Sequence, residues 1–214
     1  QRQMCIRDSI EVTFEKDKNE LAAARSFMGF QREFPESKNA DLALNNAAFY
    51  FHNQSKVARA MDARTMLIER HPKSKFYKNQ VAALGFDYES IADFAQAASF
   101  YEQLYVLDQD AKRGEPHEGT KEALYSAALF RKALGEEDKA IENFTKFVAS
   151  YPDDERVPGT KVDRAAILQG QGKKSESAAE WYAFFTAAEK SEYASGSVDQ
   201  AFFARLQYGL DLED

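Results

Sequence analysis

Cysteine occurs once in the 214 residues, as Cys5, so neither a disulfide framework nor a thiolate zinc cluster holds this chain together. Long apolar runs are missing as well. No stretch approaches 18 uninterrupted apolar residues, which excludes a membrane-spanning helix from this sequence. Basic charge is outweighed: 28 Lys and Arg stand against 35 Asp and Glu, for a formal charge of −7 and a pI near 5.2. Such a chain lacks the cationic face with which a general nucleic-acid binder displaces counterions. What it does have is 44% hydrophobic residues, 13% of the total being aromatic, with 29% charged. That composition excludes a disordered polymer and supplies a core for one ordinary domain or a short repeat array.

Residues 1–9 read Gln-Arg-Gln-Met-Cys-Ile-Arg-Asp-Ser. Met4 to Ser9 back-translates to ATG-TGT-ATA-AGA-GAC-AG, which resembles the mosaic-end adapter of transposon-based sequencing libraries. We therefore expect 1–9 to be adapter translation and set the segment, with its cysteine, outside the fold.

The remainder is dominated by an internal repeat, the feature to seek first because missing it miscalls the whole fold. An alanine is followed by an aromatic four residues on, an apolar residue seven on, and Pro or a loop twelve on. Ala23, Phe27, Phe30 and Pro35 fit, as do Ala140, Phe144, Phe147 and Pro152. Ala97, Tyr101 and Leu104 form a further copy, and Ala178, Tyr182 and Phe185 another. Ala60, Arg64, Leu67 and Pro72 lack the aromatic. Upstream of each, an aliphatic residue (Leu44, Val81, Leu124, Val162) precedes a small one by four positions (Ala48, Gly85, Ala128, Ala166). Both patterns run at i, i+3, i+4, i+7 spacing, the mark of amphipathic helices. The unit is thus helix, short turn, helix and a Pro-containing loop. Small residues at facing positions let paired helix axes approach.

This pattern resembles the tetratricopeptide repeat (TPR), best in Leu84-Gly85, Tyr88, Ala97, Tyr101 and Leu104. The resemblance covers nearly all of 10–214 and implies an all-α fold, a right-handed α-solenoid of TPR-like helix-turn-helix repeats. The expected units are approximately 10–40, 41–77, 78–120, 121–158 and 159–197, with a partial unit at 198–214. The repeat begins and ends in mid-unit, so we expect a fragment of a longer array. The first-helix tyrosine of the family is replaced by Phe51, Arg131 and Gln169 in units two, four and five. Asp108 to Thr120, rich in Gly and Pro, lengthens one step of the repeat and is read as a loop, as is Ser191 to Ser197.

Chemistry for catalysis is sparse. His52, His71 and His117 are scattered over two units with no carboxylate or second His at ligand spacing, so no metal site is expected. Gly170 and Gly172 form a short turn and no phosphate loop. Glu136-Glu137 and Asp153-Asp154 sit at helix starts or turns, where they suit the helix dipole. We expect no enzymatic activity and no cofactor.

Solenoids of stacked helix pairs expose an extended concave face, and binding is their usual work. The TPR resemblance implies that the first helix of each pair lines that face. Its groove positions carry over to Asn45, Phe49 and His52, then Ala82, Phe86 and Glu89. In later units they fall on Tyr125, Leu129 and Lys132, then Asp163 and Ile167. Phe49, Phe86, Leu129 and Ile167 share one position and would make either an apolar stripe for a peptide or helix partner, or packing between units. The mixed charges of Glu89, Lys132 and Asp163 do not resemble the basic clamp some TPR proteins use for acidic C-termini. The function expected is a protein–protein interaction scaffold with a protein or peptide partner, without nucleic-acid binding and without direct membrane insertion by these residues. The turns Phe34-Pro35-Glu36-Ser37, His71-Pro72-Lys73-Ser74 and Tyr151-Pro152-Asp153-Asp154 resemble those of bacterial envelope TPR proteins, including outer-membrane assembly lipoproteins and the Tol–Pal-associated coordinator. They favour the periplasm or outer membrane as the location. The alternative is a regulatory arm of a larger enzyme.

Overall fold

A computed structural model describes residues 19–110, 114–189 and 203–209. The adapter-like segment 1–9, the start of the expected unit 10–40, the middle of the 108–120 insertion, the 191–197 loop and most of 198–214 lie outside the described residues. The described residues form paired α-helices and no strand. Contacts divide the chain into two compact units, residues 1–123 and 124–214.

The first unit contains α1 (Glu20–Glu33), α2 (Ala40–Asn53), α3 (Val57–Arg70), α4 (Tyr77–Ser90) and α5 (Phe94–Asp108), and each packs on the next. Helix α6 (Thr120–Ala133) begins there and runs into the second unit, which continues with α7 (Glu137–Ser150), α8 (Val157–Gly170) and α9 (Lys174–Glu189). Residues 203–209 are also helical.

Two kinds of turn recur, and each follows from local chemistry. Within a pair, the first helix ends on a residue in left-handed backbone: Ser55 (φ 54°), Ala92 (61°), Gly135 (73°) and Gly172 (72°). Lys56 N–H donates to the Phe51 carbonyl and Ser55 N–H to that of His52, each at 2.8 Å, which is the Schellman arrangement that satisfies orphan carbonyls. The same two bonds repeat at the other three turns. Between pairs, a side chain three residues before the next helix accepts the backbone N–H two residues on. Ser37 accepts from Asn39, Ser74 from Phe76, and Asp154 from Arg156, at 3.3, 3.2 and 3.0 Å. After the insertion His117 does the same work: its Nδ1 accepts from Gly119 at 3.0 Å. The longer step closes because Asp108 is drawn into three contacts. Its carboxylate lies 2.8 Å from Lys78 Nζ, accepts the His117 N–H at 2.9 Å and accepts the Thr120 hydroxyl. Lys78 also donates to the Glu115 carbonyl at 2.6 Å.

In the first unit, Ala23, Ala24, Phe27 and Phe30 of α1 interlock with Ala43, Ala47, Ala48 and Phe51 of α2 and with Ala60 and Ala63 of α3. At α4 the small position is Gly85, where an added Cβ would stand 2.5 Å from Tyr101 Cε1. Close approach there requires the missing side chain. In the second unit Ala128, Ala140, Phe144 and Ile167 form one cluster and Ala165, Trp181, Phe184 and Ala204 another.

The fifth repeat corrects the sequence reading. Its second helix was expected to bury Ala178, Tyr182 and Phe185. Ala178 is buried, but Tyr182 is 51% exposed and Phe185 only partly buried, while Ser177, Trp181 and Phe184 are fully buried one residue earlier. That register keeps the 37-residue step seen from Gly135 to Gly172. Serine stands where the other repeats have alanine, and its hydroxyl donates to the Ala165 carbonyl at 3.1 Å, so the small polar residue is tolerated without water. Trp181 then takes the aromatic position, and its burial is worth about 1.5–3 kcal/mol or more. On the facing helix the small buried residue is accordingly Ala165, and Ala166 is exposed.

Candidate protein-binding face

The first helices of each pair carry the groove positions. In the first unit these are α2 and α4, which are tied side by side: Gln80 Nε2 donates to Asn45 Oδ1 at 2.9 Å, and His52 Nδ1 lies 3.7 Å from Asp87 Oδ1. Asn45 is thereby engaged in positioning. Phe49 and Phe86 take equivalent places on the two helices and are 57% and 58% exposed. For large aromatic side chains in helix interiors, that exposure leaves apolar area available to a partner. Ala82 is half-buried. Glu89 is partly committed: it accepts the Tyr101 hydroxyl at 2.5 Å. Burial, and then that carboxylate, hold the Tyr101 phenol well above its ordinary pKa, so it stays a donor.

Asp87, beside His52, is almost fully buried and ion-paired with Arg64 of α3. Burial raises its pKa, and the Arg64 charge and hydrogen bond, followed by His52, pull the other way. Asp108 has the opposite balance. Burial is opposed by hydrogen bonds from Lys78, Thr120 and His117, and its pKa falls below the ordinary carboxylate value.

In the second unit the groove positions are largely satisfied internally. Tyr125 is half-buried against Phe147, and the Arg156 guanidinium sits over its ring at 4.7 Å. Arg156 is fixed there by a two-pronged bridge to Asp154, at 2.7 and 2.9 Å. Lys132 pairs with Asp163 at 2.7 Å. Leu129 is partly buried against the Ala128–Phe144 cluster, and Ile167 lies inside it at 7% exposure. Ile167 therefore offers no surface to a ligand. With the repeat counted in its observed register, the position equivalent to Phe49 and Phe86 falls on Ala166. The sequence reading placed it one residue late because it aligned on Ala178. The signal that would have found the register was Gly172, the turn glycine 37 residues after Gly135.

Among the described residues, no group of three or more His, Cys, Asp or Glu side chains is placed to hold a metal ion. No helix among them is long and apolar enough to cross a membrane.

Comparison with known proteins supports the repeat reading. Residues 122–154, the fourth repeat, match the tetratricopeptide repeat family model. No curated protein sequence matches the chain significantly. A crystal structure of MamA protein is similar at 17% identity and a TM-score of 0.51, covering 89% of this chain and 95% of that one. A structure of MamA from AMB-1 is similar at 17% identity and 0.50, covering 94% and 97%. A tetratricopeptide repeat protein from Parabacteroides merdae superposes less closely, at 16% identity and 0.40, covering 99% and 91%. At such identities the likeness concerns the fold. The chain is an all-α protein of TPR-like solenoid class, built from helix-turn-helix repeats, the fourth of which carries the tetratricopeptide signature.

Proposed function

We propose that the protein is a protein–protein interaction scaffold that captures a peptide or helix on the face formed by α2 and α4. The observation that carries this reading is the pair Phe49 and Phe86, each more than half exposed at equivalent positions on neighbouring first helices. Asn45 and His52 flank the pair as polar edges, and Glu89 and Ala82 border it on α4. Two aromatic anchors with a polar surround are what an extended peptide or amphipathic helix with apolar side chains requires. Tyr125, Leu129 and Lys132 hold the equivalent positions in the second unit, where contacts within that unit already engage them. We place this activity in the bacterial envelope, on the support of the Pro-containing turns at Pro35, Pro72 and Pro152.

The test is selection of binders from a displayed random-peptide library on the intact chain, followed by affinity measurement on Phe49→Ala/Phe86→Ala. Because both side chains are exposed, helicity and melting temperature should not change. Loss of two anchors should weaken the selected peptides by roughly a hundredfold. Undiminished affinity would sink this face as the site. Membrane fractionation of cells expressing the full reading frame tests the envelope location.

A further inference from the structure

A second surface lies between α1 and α3, apart from the exposed aromatics of α2 and α4. Helices α1 and α3 flank a groove of about 740 Å³. Its floor is apolar, from Leu21, Met28 and Met66, with Phe51 beneath. Its rim is cationic: Arg25, Arg32, Lys56, Arg59 and Arg70 line it against one carboxylate, Asp62, which stands 4.0 Å from Arg59. All five cations are exposed, in a chain whose net charge is −7. Such a concentration of one sign against the overall charge creates a local positive field.

Two further observations point to an occupant. Gln31 lines the groove at 2% exposure, and its Nε2 has no hydrogen-bond partner among the described residues. A buried amide donor without a partner is unusual, and a turn of this side chain toward the groove would let a ligand's acceptor relieve it. Gly29 also lines the groove, in the interior of α1, and a Cβ there would meet nothing within 4 Å. Packing inside the protein does not require glycine at that point, yet its absence of side chain keeps the groove open.

We propose that this groove binds an acidic protein segment that inserts a large apolar side chain between α1 and α3. The cations at the rim meet carboxylates, the floor of Leu21, Met28 and Met66 meets the apolar anchor, and Gln31 donates to the segment. A flat anionic membrane fits less well, because the apolar atoms lie at the bottom of the groove and the charges at its edge. The inference is independent of the α2–α4 face: none of Asn45, Phe49, His52, Phe86 or Glu89 lines this groove.

The probe is a fluorescently labelled helical peptide of Glu, Ala and Leu, with Leu spaced to lie on one face. Its controls replace Glu by Lys or Leu by Ser, and vesicles containing phosphatidylserine form a separate arm. Binding to the intact chain is measured by anisotropy, with circular dichroism on every variant. We expect the Glu/Leu peptide to bind, both controls to fail, and affinity to drop as salt rises. Arg25→Glu/Arg59→Glu reverses charge at exposed positions, and Gly29→Phe fills the groove; each should weaken the peptide at least roughly tenfold, while Phe49→Ala/Phe86→Ala should not. No binding by the Glu/Leu peptide, unchanged affinity in either groove variant, or binding of the vesicles in place of the peptide would overturn the proposal.

Discussion

Arg64 and Asp87 form a buried ion pair at the contact where one repeat meets the next, and three corresponding contacts among the described residues are aromatic or aliphatic. Phe27 and Tyr50 stack at the same place one repeat earlier, with ring centroids 6.1 Å apart. Phe144 and Ile167 share a cluster at the same place in the second unit, and Trp181 and Ala204 do so one repeat later. Arginine replaced the repeat's aromatic because its partner on the following helix is a carboxylate. A buried pair of this kind is strongly destabilising to break and often neutral to replace whole.

Arg64→Leu alone should therefore cost about 3–5 kcal/mol, since it strips the buried Asp87 carboxyl of its guanidinium and leaves only His52, 3.7 Å away, beside it. Arg64→Phe with Asp87→Tyr restores the aromatic contact of Phe27 and Tyr50 and should cost far less than the sum of the single changes. Denaturant melts of the singles and the double in a mutant cycle measure this. Additive costs would show that the pair is not coupled.

The register of the fifth repeat makes an opposed prediction for two adjacent aromatics. Trp181→Ala should destabilise the second unit by about 3–5 kcal/mol, as a fully buried tryptophan in a well-packed site does. Tyr182→Ala should change stability by less than about 1 kcal/mol, because half of that side chain is already in solvent. Equal losses in thermal unfolding would restore the later register.

Two of the four left-handed turn positions carry a Cβ: Ser55 and Ala92, against Gly135 and Gly172. Ala92→Gly should stabilise the first unit by about 0.5–1 kcal/mol, because an L-residue in that backbone region is strained. The matching loss is expected from Gly135→Ala in the second. A shift in melting temperature of the opposite sign in either case would contradict the Schellman assignment.

Asp108 supplies a pH dependence whose sign is fixed by its lowered pKa. Its stabilising contribution is fully present above the unfolded carboxylate value, near 3.9, and is lost as pH falls through the lower folded value. Asp108→Asn should lower stability at neutral pH and flatten that part of the acid limb. Urea titrations of the two proteins between neutral and acidic pH should converge at the acid end. Parallel curves would mean that Asp108 titrates normally.

The helical pairing was legible in the sequence because the alanine and aromatic positions recur at fixed offsets, and between Ala23 and Phe147 only Arg64 departs from that order. The fifth repeat was misread for a physical reason: Ser177 fulfils the steric role of alanine and hides its hydroxyl on the Ala165 carbonyl, so residue type misled where volume would not. Ile167 entered the expected groove through the same one-residue slip. The exposure of Phe49 and Phe86 was not readable either, since sequence spacing alone leaves open whether an aromatic at that position covers a neighbour or faces solvent. The α1–α3 groove is formed by residues from three helices whose only common feature is their position, and no local motif announces it.

The contacts that Asp108 makes with Lys78, His117 and Thr120 separate the insertion from the repeat on either side. They fasten both ends of the extra chain to the same carboxylate, so the spacing of α5 and α6 does not depend on how many residues lie between. Lengthening that stretch should then add only loop entropy, about 0.6 kcal/mol per doubling. The protein holds here a ready attachment point: a fluorophore peptide or an affinity tag spliced between Asp110 and Gly114 would leave the contacts of Asp108 with Lys78, His117 and Thr120 in place.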